Sequence, residues 1–406
     1  MRCLVPLVLF VAVTLALAAD GPPALVSFKV QTDVILKELN KEFCWFHPRA
    51  AAIPGRGQNG GPAVILTIQK HLVADDHYSG LSFMRTDDLG KTWTKPDPRP
   101  ELDWSKDAKG NTISVADVTP GWHAGTKRLI AIGTKVRYSP AGAQLLDEPR
   151  SQECAYAVFD PATDKWSKWQ FLKVPESDSK FYTLCPGCVQ WLVEPDGSVL
   201  IPMCYAAAQS GVYKSTVFKC KFDGETLAYL EHGDELALNE VRGLVEPSLT
   251  KFQGKFYLTI RNDNRGYVTT SDDGLHYKPL TPWTFDDSQD LGSYNTQQHW
   301  LSHSDGLFLT YTRRGANNDH IPRNRAPIFV AQVDPVKLQV IRSTEQSLIP
   351  ERGVMLGNFG ACAINEHESW VTDSEFIQNG QSHPRGADGS TFVARVLWSK
   401  PNRDAP

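Results

Sequence analysis

The stretch FMRTDDLGKTWTKP, residues 83–96, places a hydroxyl, an aspartate, a glycine and a tryptophan directly after an apolar run. The side chains of Thr86 and Asp88 are of the kind that bind the amides of a tight turn, and Gly90 tolerates a positive φ. Trp93 is placed to fold back over such a turn as a hydrophobic plug. We therefore predict a tight turn at this point in the chain.

The same spacing occurs a second time in TTSDDGLHYKP, residues 269–279. Here Thr270, Asp272, Gly274 and Tyr277 stand at the offsets of the first copy, and both copies follow strand-like residues and precede Lys-Pro. A pattern that occurs twice in matching settings indicates an internal structural repeat.

Short alternating runs dominate the rest of the sequence, among them RLIAIGTKVRY, KFYLTIRN and GLFLTYTRR. Turn residues such as PDG, FDG and SDG separate these runs. Only SFKVQTDVILKELNKEF, residues 27–43, is ambiguous between a helix and a strand. Regular strands with such breaks predict an all-β sandwich, barrel or propeller.

The two turns resemble the Asp-boxes, or BNR repeats, of the sialidase (neuraminidase) superfamily. In that family they close the outer hairpins of propeller blades, so the resemblance implies a six-bladed β-propeller with four-stranded sheets stacked around an axis. The turns are structural devices, which means that they point to the fold and not to catalysis.

The first 18 residues have the features of a secretory signal peptide: one arginine, an apolar core and the small residues Ala16-Leu17-Ala18. We expect cleavage after Ala18, export to a secreted or periplasmic location, and a single six-bladed propeller domain over residues 19–406. The apolar run is short for a membrane span, and no stop-transfer segment follows it. We therefore expect no membrane span.

Composition argues against one class of partner and is compatible with another. The formal net charge of −4 argues against nucleic acid. The 11 tryptophans suit sugar rings, whose apolar faces stack on indoles. The resemblance to sialidases implies an acidic glycan or oligosaccharide as the substrate, and we expect a monomer.

The chain has eight cysteines, and Cys3 would leave with the signal peptide. The remaining seven are an odd number, so at least one thiol would stay free in an oxidising compartment. Cys185 and Cys188 form a CxxC in TLCPGCVQW, which suggests a redox pair or half a zinc site. No second CxxC exists, so we expect a local disulfide or two idle thiols, and neither a metal nor a cofactor.

The resemblance also implies a substrate-binding arginine cluster, because the family holds the carboxylate of its sugar with three arginines. In NEVRGLVEPSLTKFQGKFYLTIRND, residues 239–263, Glu246 opens a strand and Arg261 ends the next, as in the matching family segment. A charge that opens an apolar strand is costly unless it is paired. Arg49 in FCWFHPRAAAIPG matches the first arginine, although three alanines separate it from Ile-Pro, and Arg325 precedes the strand that should carry the third.

Candidates for the remaining roles lie in two loops. The family carries a general-acid aspartate shortly before its first Asp-box, and Asp76 and Asp75 both match this position, with Asp76 favoured. The same pair of carboxylates would also suit solvent or calcium. In YNTQQHWLSHSDG, residues 294–306, Gln298 and His299 are candidates for contacting the sugar or for a structural role.

The nucleophile is where this sequence departs from the family. A tyrosine attacks in sialidases, since the substrate's own carboxylate would repel a carboxylate nucleophile. In LGNFGACAINEHESWVTDSE, residues 356–375, Phe359 stands where that tyrosine is expected. Either another tyrosine (Tyr205, Tyr294 or Tyr311) serves, or the chemistry differs.

Three functions remain open from the sequence. The first is an exported hydrolase that resembles exo-α-sialidase, with Arg49, Arg261 and Arg325 on the carboxylate and Asp76 as the acid. In this reading Glu246 polarises a nucleophile or a water. The second is a polysaccharide lyase on the same fold, in which a histidine or a tyrosine would act as the base; the candidate histidines are His47, His77, His123, His299 and His320. The third is a propeller that binds sugar without turnover. G-x-S-x-G, zinc-peptidase, P-loop and dinucleotide-binding signatures are absent.

Overall fold

A computed structural model describes residues 23–73, 76–145, 152–208 and 210–406. Its strands form six separate sheets that pack around one axis, so the protein is a six-bladed β-propeller, as predicted. The predicted signal peptide and Asp75 lie outside the described residues. In the described part of the chain, no helix has the length and apolar character needed to cross a bilayer.

The first two blades follow the N-terminal strand along the chain. Blade 1 consists of β2 (Phe43–Ile53), β3 (Ala63–Leu72), β4 (Ser82–Thr86) and β5 (Asp97–Pro98). Blade 2 consists of β6 (Ser105–Lys106), β7 (Thr112–His123), β8 (Arg128–Tyr138), β9 (Cys154–Asp160), β10 (Lys165–Trp166) and β11 (Gln170–Phe171).

The next two blades are also built from antiparallel strands. Blade 3 consists of β12 (Thr183–Cys185), β13 (Leu192–Val193), β14 (Ser198–Ala206), β15 (Lys214–Phe222) and β16 (Leu227–His232). Blade 4 consists of β17 (Val245–Phe252), β18 (Lys255–Arg261), β19 (Gly266–Ser271) and β20 (Thr281–Pro282).

The last two blades complete the ring. Blade 5 consists of β21 (Thr284–Phe285), β22 (His299–His303), β23 (Gly306–Tyr311), β24 (Ile328–Asp334), β25 (Gln339–Val340) and β26 (Gln346–Ile349). Blade 6 consists of β27 (Gly360–Asn365), β28 (Glu368–Ser374), β29 (Ser390–Trp398) and β1 (Phe28–Lys37). The ambiguous segment is therefore a strand, and the pairing of β1 with β29 joins the two ends of the chain.

Short 3₁₀ turns are the only helical elements in the described residues. They are Gln58–Gly60, Pro100–Leu102, Pro322–Asn324 and Arg342–Thr344.

The core of the molecule is divided among the interfaces between neighbouring blades. Each of the six interfaces holds its own cluster of buried apolar side chains, such as Ile132 with Phe218 between blades 2 and 3. Because both faces of most blades are covered, strands such as β2 are buried along their whole length. This burial explains the long apolar runs in the sequence.

Both predicted turns connect the third and fourth strands of a blade. In the first, the Thr86 hydroxyl accepts a hydrogen bond from the Gly90 amide, and Asp88 accepts from the Thr92 amide at 2.9 Å. In the second, the corresponding bonds go to Ser271 and Asp273.

The assignment of the second turn to Thr270 and Asp272 was therefore wrong by one residue. Ser271 reaches the Gly274 amide at 2.9 Å, over one residue fewer than separates Thr86 from Gly90. The second turn is shorter, so equal offsets in the sequence do not correspond to equal positions in the two turns.

Three of the innermost strands carry a β-bulge. The register shifts between Phe46 and Arg49 in β2, between Ala116 and Thr119 in β7, and between Val245 and Ser248 in β17. A bulge redirects the side chain of its extra residue. In this propeller the three bulges lie on strands that surround the axis.

Candidate functional site

Five residues with left-handed backbone conformations lie around the axis, one from each of blades 1 to 5. They are His47, Asp117, Cys188, Glu246 and Asn295, with φ angles of 52°, 59°, 57°, 48° and 50°. We call the region around them the hub. Such conformations are unfavourable for residues other than glycine, and they concentrate at functional sites.

A buried ion pair links Glu246 to Arg261 in blade 4. Arg261 Nη1 donates to Glu246 Oε1 at 2.6 Å, and Arg261 Nη2 also donates to Asn295 Oδ1. Burial alone would raise the pKa of Glu246, but the charges of Arg261 and Arg242 outweigh it and hold that pKa below its usual value. Glu246 is therefore a carboxylate, and its buried Oε2 atom has no partner in the described residues.

Arg325 and Arg49 approach the hub from blades 5 and 1. Arg325 donates from Nη2 to the Asn295 carbonyl at 2.6 Å, and Arg49 donates from Nη2 to the Asn358 carbonyl at 3.3 Å. Gly360 makes room for Arg49, because a Cβ at Gly360 would lie 2.6 Å from Arg49 Cγ. All three predicted arginines are thus buried around one centre.

Several guanidinium donors of this arginine cluster have no partner. Arg49 Nε and Nη1 and Arg261 Nε are buried, without a hydrogen bond among the described residues. Burial and the nearby charge of Arg261 lower the pKa of Arg325 to about 10. Buried unpaired donors are rare in proteins, and mutually repelling cations stabilise an anion placed between them. The cluster is suited to bind a carboxylate in the fork geometry of guanidinium groups.

Asp117 provides a second carboxyl group in the hub. Its Oδ1 atom lies 3.0 Å from His47 Nε2 and accepts a hydrogen bond from Cys188 Sγ at 3.2 Å. Burial raises the pKa of Asp117 to about 6. Its side chain nevertheless keeps 27% of its accessible surface, and that of Glu246 keeps 17%, so the hub opens to solvent beside these two carboxyl groups.

Asp76 lies at the edge of the hub in the loop between β3 and β4. Its Oδ1 atom accepts a hydrogen bond from the Tyr78 hydroxyl at 3.2 Å. The Tyr78 ring lies 5.1 Å from the His47 ring, and the charge of Asp76 contributes to the raised pKa of Asp117. The structure therefore brings Asp76 close to the other hub residues.

Gln298 and His299 are both buried. The Gln298 amide accepts from the Thr259 hydroxyl at 3.1 Å and donates to the Thr296 carbonyl at 2.8 Å, so its polar atoms are engaged within the blades. His299 Nδ1 is paired with the Ser248 hydroxyl at 2.8 Å. Burial and the charge of Arg49 lower the pKa of His299 to about 3, which keeps this ring neutral.

The three tyrosines considered as substitutes for the nucleophile are engaged elsewhere. Tyr205 donates to Glu235, Tyr311 donates to Glu345, and Tyr294 donates to Asn324. Phe359 lies in the core between blades 5 and 6. In the part of the chain described here, no tyrosine hydroxyl is hydrogen-bonded to Glu246.

Sequence reasoning missed Asp117 and Cys188 as hub residues, and it considered His47 only as one of several histidines that could serve a lyase as its base. Asp117 interrupts the apolar run SVADV, and the same criterion that singled out Glu246 would have found it. His47 directly precedes Pro48-Arg49 and has no comparable signal. Cys188 was noticed only as half of a CxxC.

Comparison with known proteins supports the fold. No family model matches the sequence, and no curated protein matches it either. Among solved structures, the chain is similar to Trypanosoma rangeli sialidase, with a TM-score of 0.59 and 14% identity over 90% of this chain and 59% of that one. A Hadza microbial sialidase has a TM-score of 0.59 and 13% identity, over 86% of this chain and 65% of that one. The phage phi92 endosialidase has a TM-score of 0.57 and 10% identity, over 93% of this chain and 71% of that one.

These structural neighbours are sialidase-type propellers, and at such low identity the likeness shows the fold alone. The chain spans 59% and 65% of the lengths of the first two.

Proposed function

We propose that the protein is a glycoside hydrolase that releases a terminal acidic sugar of the sialic acid type from glycans. One observation carries the proposal: three buried arginines from blades 1, 4 and 5 meet at the hub with unpaired donors beside a carboxylate. The fold shared with sialidases supports it. One of these structures, the Trypanosoma rangeli sialidase, was solved in complex with sialic acid.

In this proposal Arg49, Arg261 and Arg325 bind the carboxylate of the sugar. Placement of an anion there would supply acceptors for the unpaired guanidinium donors and relieve the repulsion between Arg261 and Arg325. The substrate would then be held by its charge next to Glu246. Export of the protein, predicted from residues 1–18, would place it where extracellular glycans occur.

Glu246 and Asp76 are the proposed catalytic residues. Glu246 is ionised and has a free oxygen, so it can accept a proton from a water that attacks the sugar. Direct attack by this carboxylate is disfavoured, because the substrate's own carboxylate would repel it. Asp76 is partly exposed at the edge of the hub and is the proposed acid for the leaving group.

The test is the release of free acidic monosaccharide from a panel of sialylated and uronate-capped oligosaccharides, measured by chromatography. We expect release by the unmodified protein and none by Glu246→Gln. Arg325→Lys should raise KM about tenfold or more, because lysine cannot form the paired hydrogen bonds of the guanidinium fork. Glu345→Gln is the matched control for Glu246→Gln, since the two carboxyl side chains are similarly exposed and Glu345 also pairs with an arginine, Arg313, outside the hub.

A second candidate function, sugar binding without turnover, is favoured by Phe359 and by the lack of a tyrosine hydroxyl on Glu246. Folded protein that binds an acidic glycan and releases no sugar would establish it and refute the hydrolase. An ultraviolet-absorbing unsaturated uronate among the products would instead identify a lyase.

A further inference from the structure

Three side chains of the metal-binding types converge at one side of the hub. His47 comes from the bulge of β2 in blade 1, Asp117 from the bulge of β7 in blade 2, and Cys188 from the segment between β12 and β13 in blade 3. His47 Nε2 lies 3.0 Å and Cys188 Sγ lies 3.2 Å from Asp117 Oδ1. All three atoms lie within 4.8 Å of one another.

The three residues share an unusual backbone conformation. All three adopt left-handed conformations, with φ between 52° and 59°. This conformation is unfavourable for a residue with a Cβ, and residues from three different blades adopt it within one cluster. An ordinary strand continuation would have pointed these side chains elsewhere, so the bulges and the turn concentrate them at one point.

The ligand atoms identify the class of ion. One imidazole nitrogen, one carboxylate oxygen and one thiolate sulfur form a mixed set that suits Zn²⁺, whereas Ca²⁺ and Mg²⁺ prefer oxygen alone. The separations of 3.0 Å and 3.2 Å are close to those between ligands that share one tetrahedral ion. Asp117 is partly exposed, which provides a path for the ion to enter.

We infer that His47, Asp117 and Cys188 bind a zinc ion, with the fourth coordination position left open for water or for an oxygen of a ligand. Binding converts the Cys188 thiol to a thiolate: the sulfur–hydrogen bond breaks, a zinc–sulfur bond forms, and the proton passes to solvent. The Asn358 amide, 2.9 Å from His47 Nε2, would have to turn away from that nitrogen. The sequence alone favoured no metal, because it contains no second CxxC, and His47 and Asp117 come from other blades than Cys188.

The experiment measures metal and requires no sugar, so its result is independent of the proposed hydrolase. Untagged full chain, purified under reducing conditions, is incubated with zinc and dialysed, and bound metal is counted by mass spectrometry. We expect about one zinc ion per chain. With Co²⁺ in place of zinc, a thiolate-to-cobalt charge-transfer band should appear in the near ultraviolet.

Two variants decide whether this site holds the ion. Cys188→Ser should lose the cobalt band and most of the bound zinc, and Asp117→Asn should lower zinc affinity about tenfold or more. Cys362→Ser, which changes a partly buried thiol outside the cluster, should retain both signals. Circular dichroism checks that each variant is folded. Unmodified folded protein that retains no zinc, or equal zinc and cobalt signals in Cys188→Ser and Cys362→Ser, would overturn the inference.

Discussion

Phe359 packs its ring into the core between blades 5 and 6 and meets the His299 ring edge-on at 5.1 Å. Its side chain is fully buried among apolar neighbours such as Leu301 and Ile328. A residue at this position fills the interface between two blades. Phe359, which lacks the hydroxyl of the tyrosine expected from the resemblance, therefore has a packing role.

Replacement of Phe359 by tyrosine should not create a nucleophile. We expect Phe359→Tyr to lower the free energy of unfolding by about 1–3 kcal/mol, because the new hydroxyl would be buried without a partner. Urea unfolding measures this change, and the sugar-release assay measures any gain of activity. Phe28→Tyr is the control, since that ring is only partly buried and its hydroxyl can reach water. Faster sugar release by Phe359→Tyr would show that the ring faces the hub.

Asp373 is a buried carboxyl group near the arginine cluster, and the charges of Arg49 and Arg325 act on its pKa. It accepts hydrogen bonds from the amides of Gly357 and Ser374 at 2.6 Å and 2.8 Å, yet burial raises its pKa to about 7. Between its ordinary pKa of 3.8 and this value, the folded protein keeps a proton that the unfolded chain releases. The folded state therefore loses stability as the pH rises through this interval.

We expect the stability of the unmodified protein, relative to Asp373→Asn, to fall by about 2–4 kcal/mol between pH 4 and pH 7. The measurement is the urea midpoint of both proteins across this range. Asp178→Asn, at an exposed position, should instead follow the unmodified protein at every pH. Parallel curves for Asp373→Asn and the unmodified protein would show that Asp373 is already ionised in the folded state.

At the scale of single elements, β-bulges position the hub residues. Each bulge in β2, β7 and β17 adds one residue to an inner strand and directs a polar side chain to the axis. The remainder of these strands packs against the neighbouring blades. One strand can therefore serve both the core and the site.

The turn after β19 gives a test of which residues stabilise a blade. Asp273 accepts hydrogen bonds from the amides of Leu275 and His276, and these bonds, together with the His276 side chain, hold its pKa below the usual value although burial opposes them. Its contribution is therefore present above the ordinary carboxyl pKa and is lost as the pH falls through the lowered one.

We expect Asp273→Asn to lower the melting temperature at pH 7 and to have a smaller effect in acid. Asp272→Asn is the matched control, because Asp272 is the neighbouring aspartate and is exposed like Asp273, and it should change stability by less than about 0.5 kcal/mol. Thermal unfolding at pH 7 and pH 3 gives both comparisons. A larger effect of Asp272→Asn than of Asp273→Asn would show that Asp272 is the turn aspartate, as the sequence spacing had predicted.

At the scale of the whole molecule, alternating runs are local signals that predicted an all-β fold but left a sandwich, a barrel and a propeller open. The resemblance of the two turns to Asp-boxes supplied the six blades. Arg49, Arg261 and Arg325 were found through the same resemblance, and the structure buries all three. The bulge at Asp117 was not predictable in this way, because a shift of one residue in pairing decides whether a side chain faces the axis or the core.

The ring is closed by pairing between the two ends of the chain. β1 runs antiparallel to β29 from Phe28 opposite Trp398 to Lys37 opposite Ser390, and Val26 adds to the core between blades 5 and 6. Without β1, the edge of β29 would be unpaired along its length. Exposed strand edges promote association between chains.

We expect a chain that begins at residue 40 to melt roughly 10 °C or more below one that begins at residue 23, and to form oligomers. Both chains lack the predicted signal peptide, so they differ by β1 and its flanking residues. Circular dichroism and size-exclusion chromatography measure the two effects. A synthetic peptide of residues 23–39 should bind the shortened chain and restore much of its stability, because it can pair with β29. A shortened chain that stays monomeric with an unchanged melting temperature would show that blade 6 holds together without its outer strand.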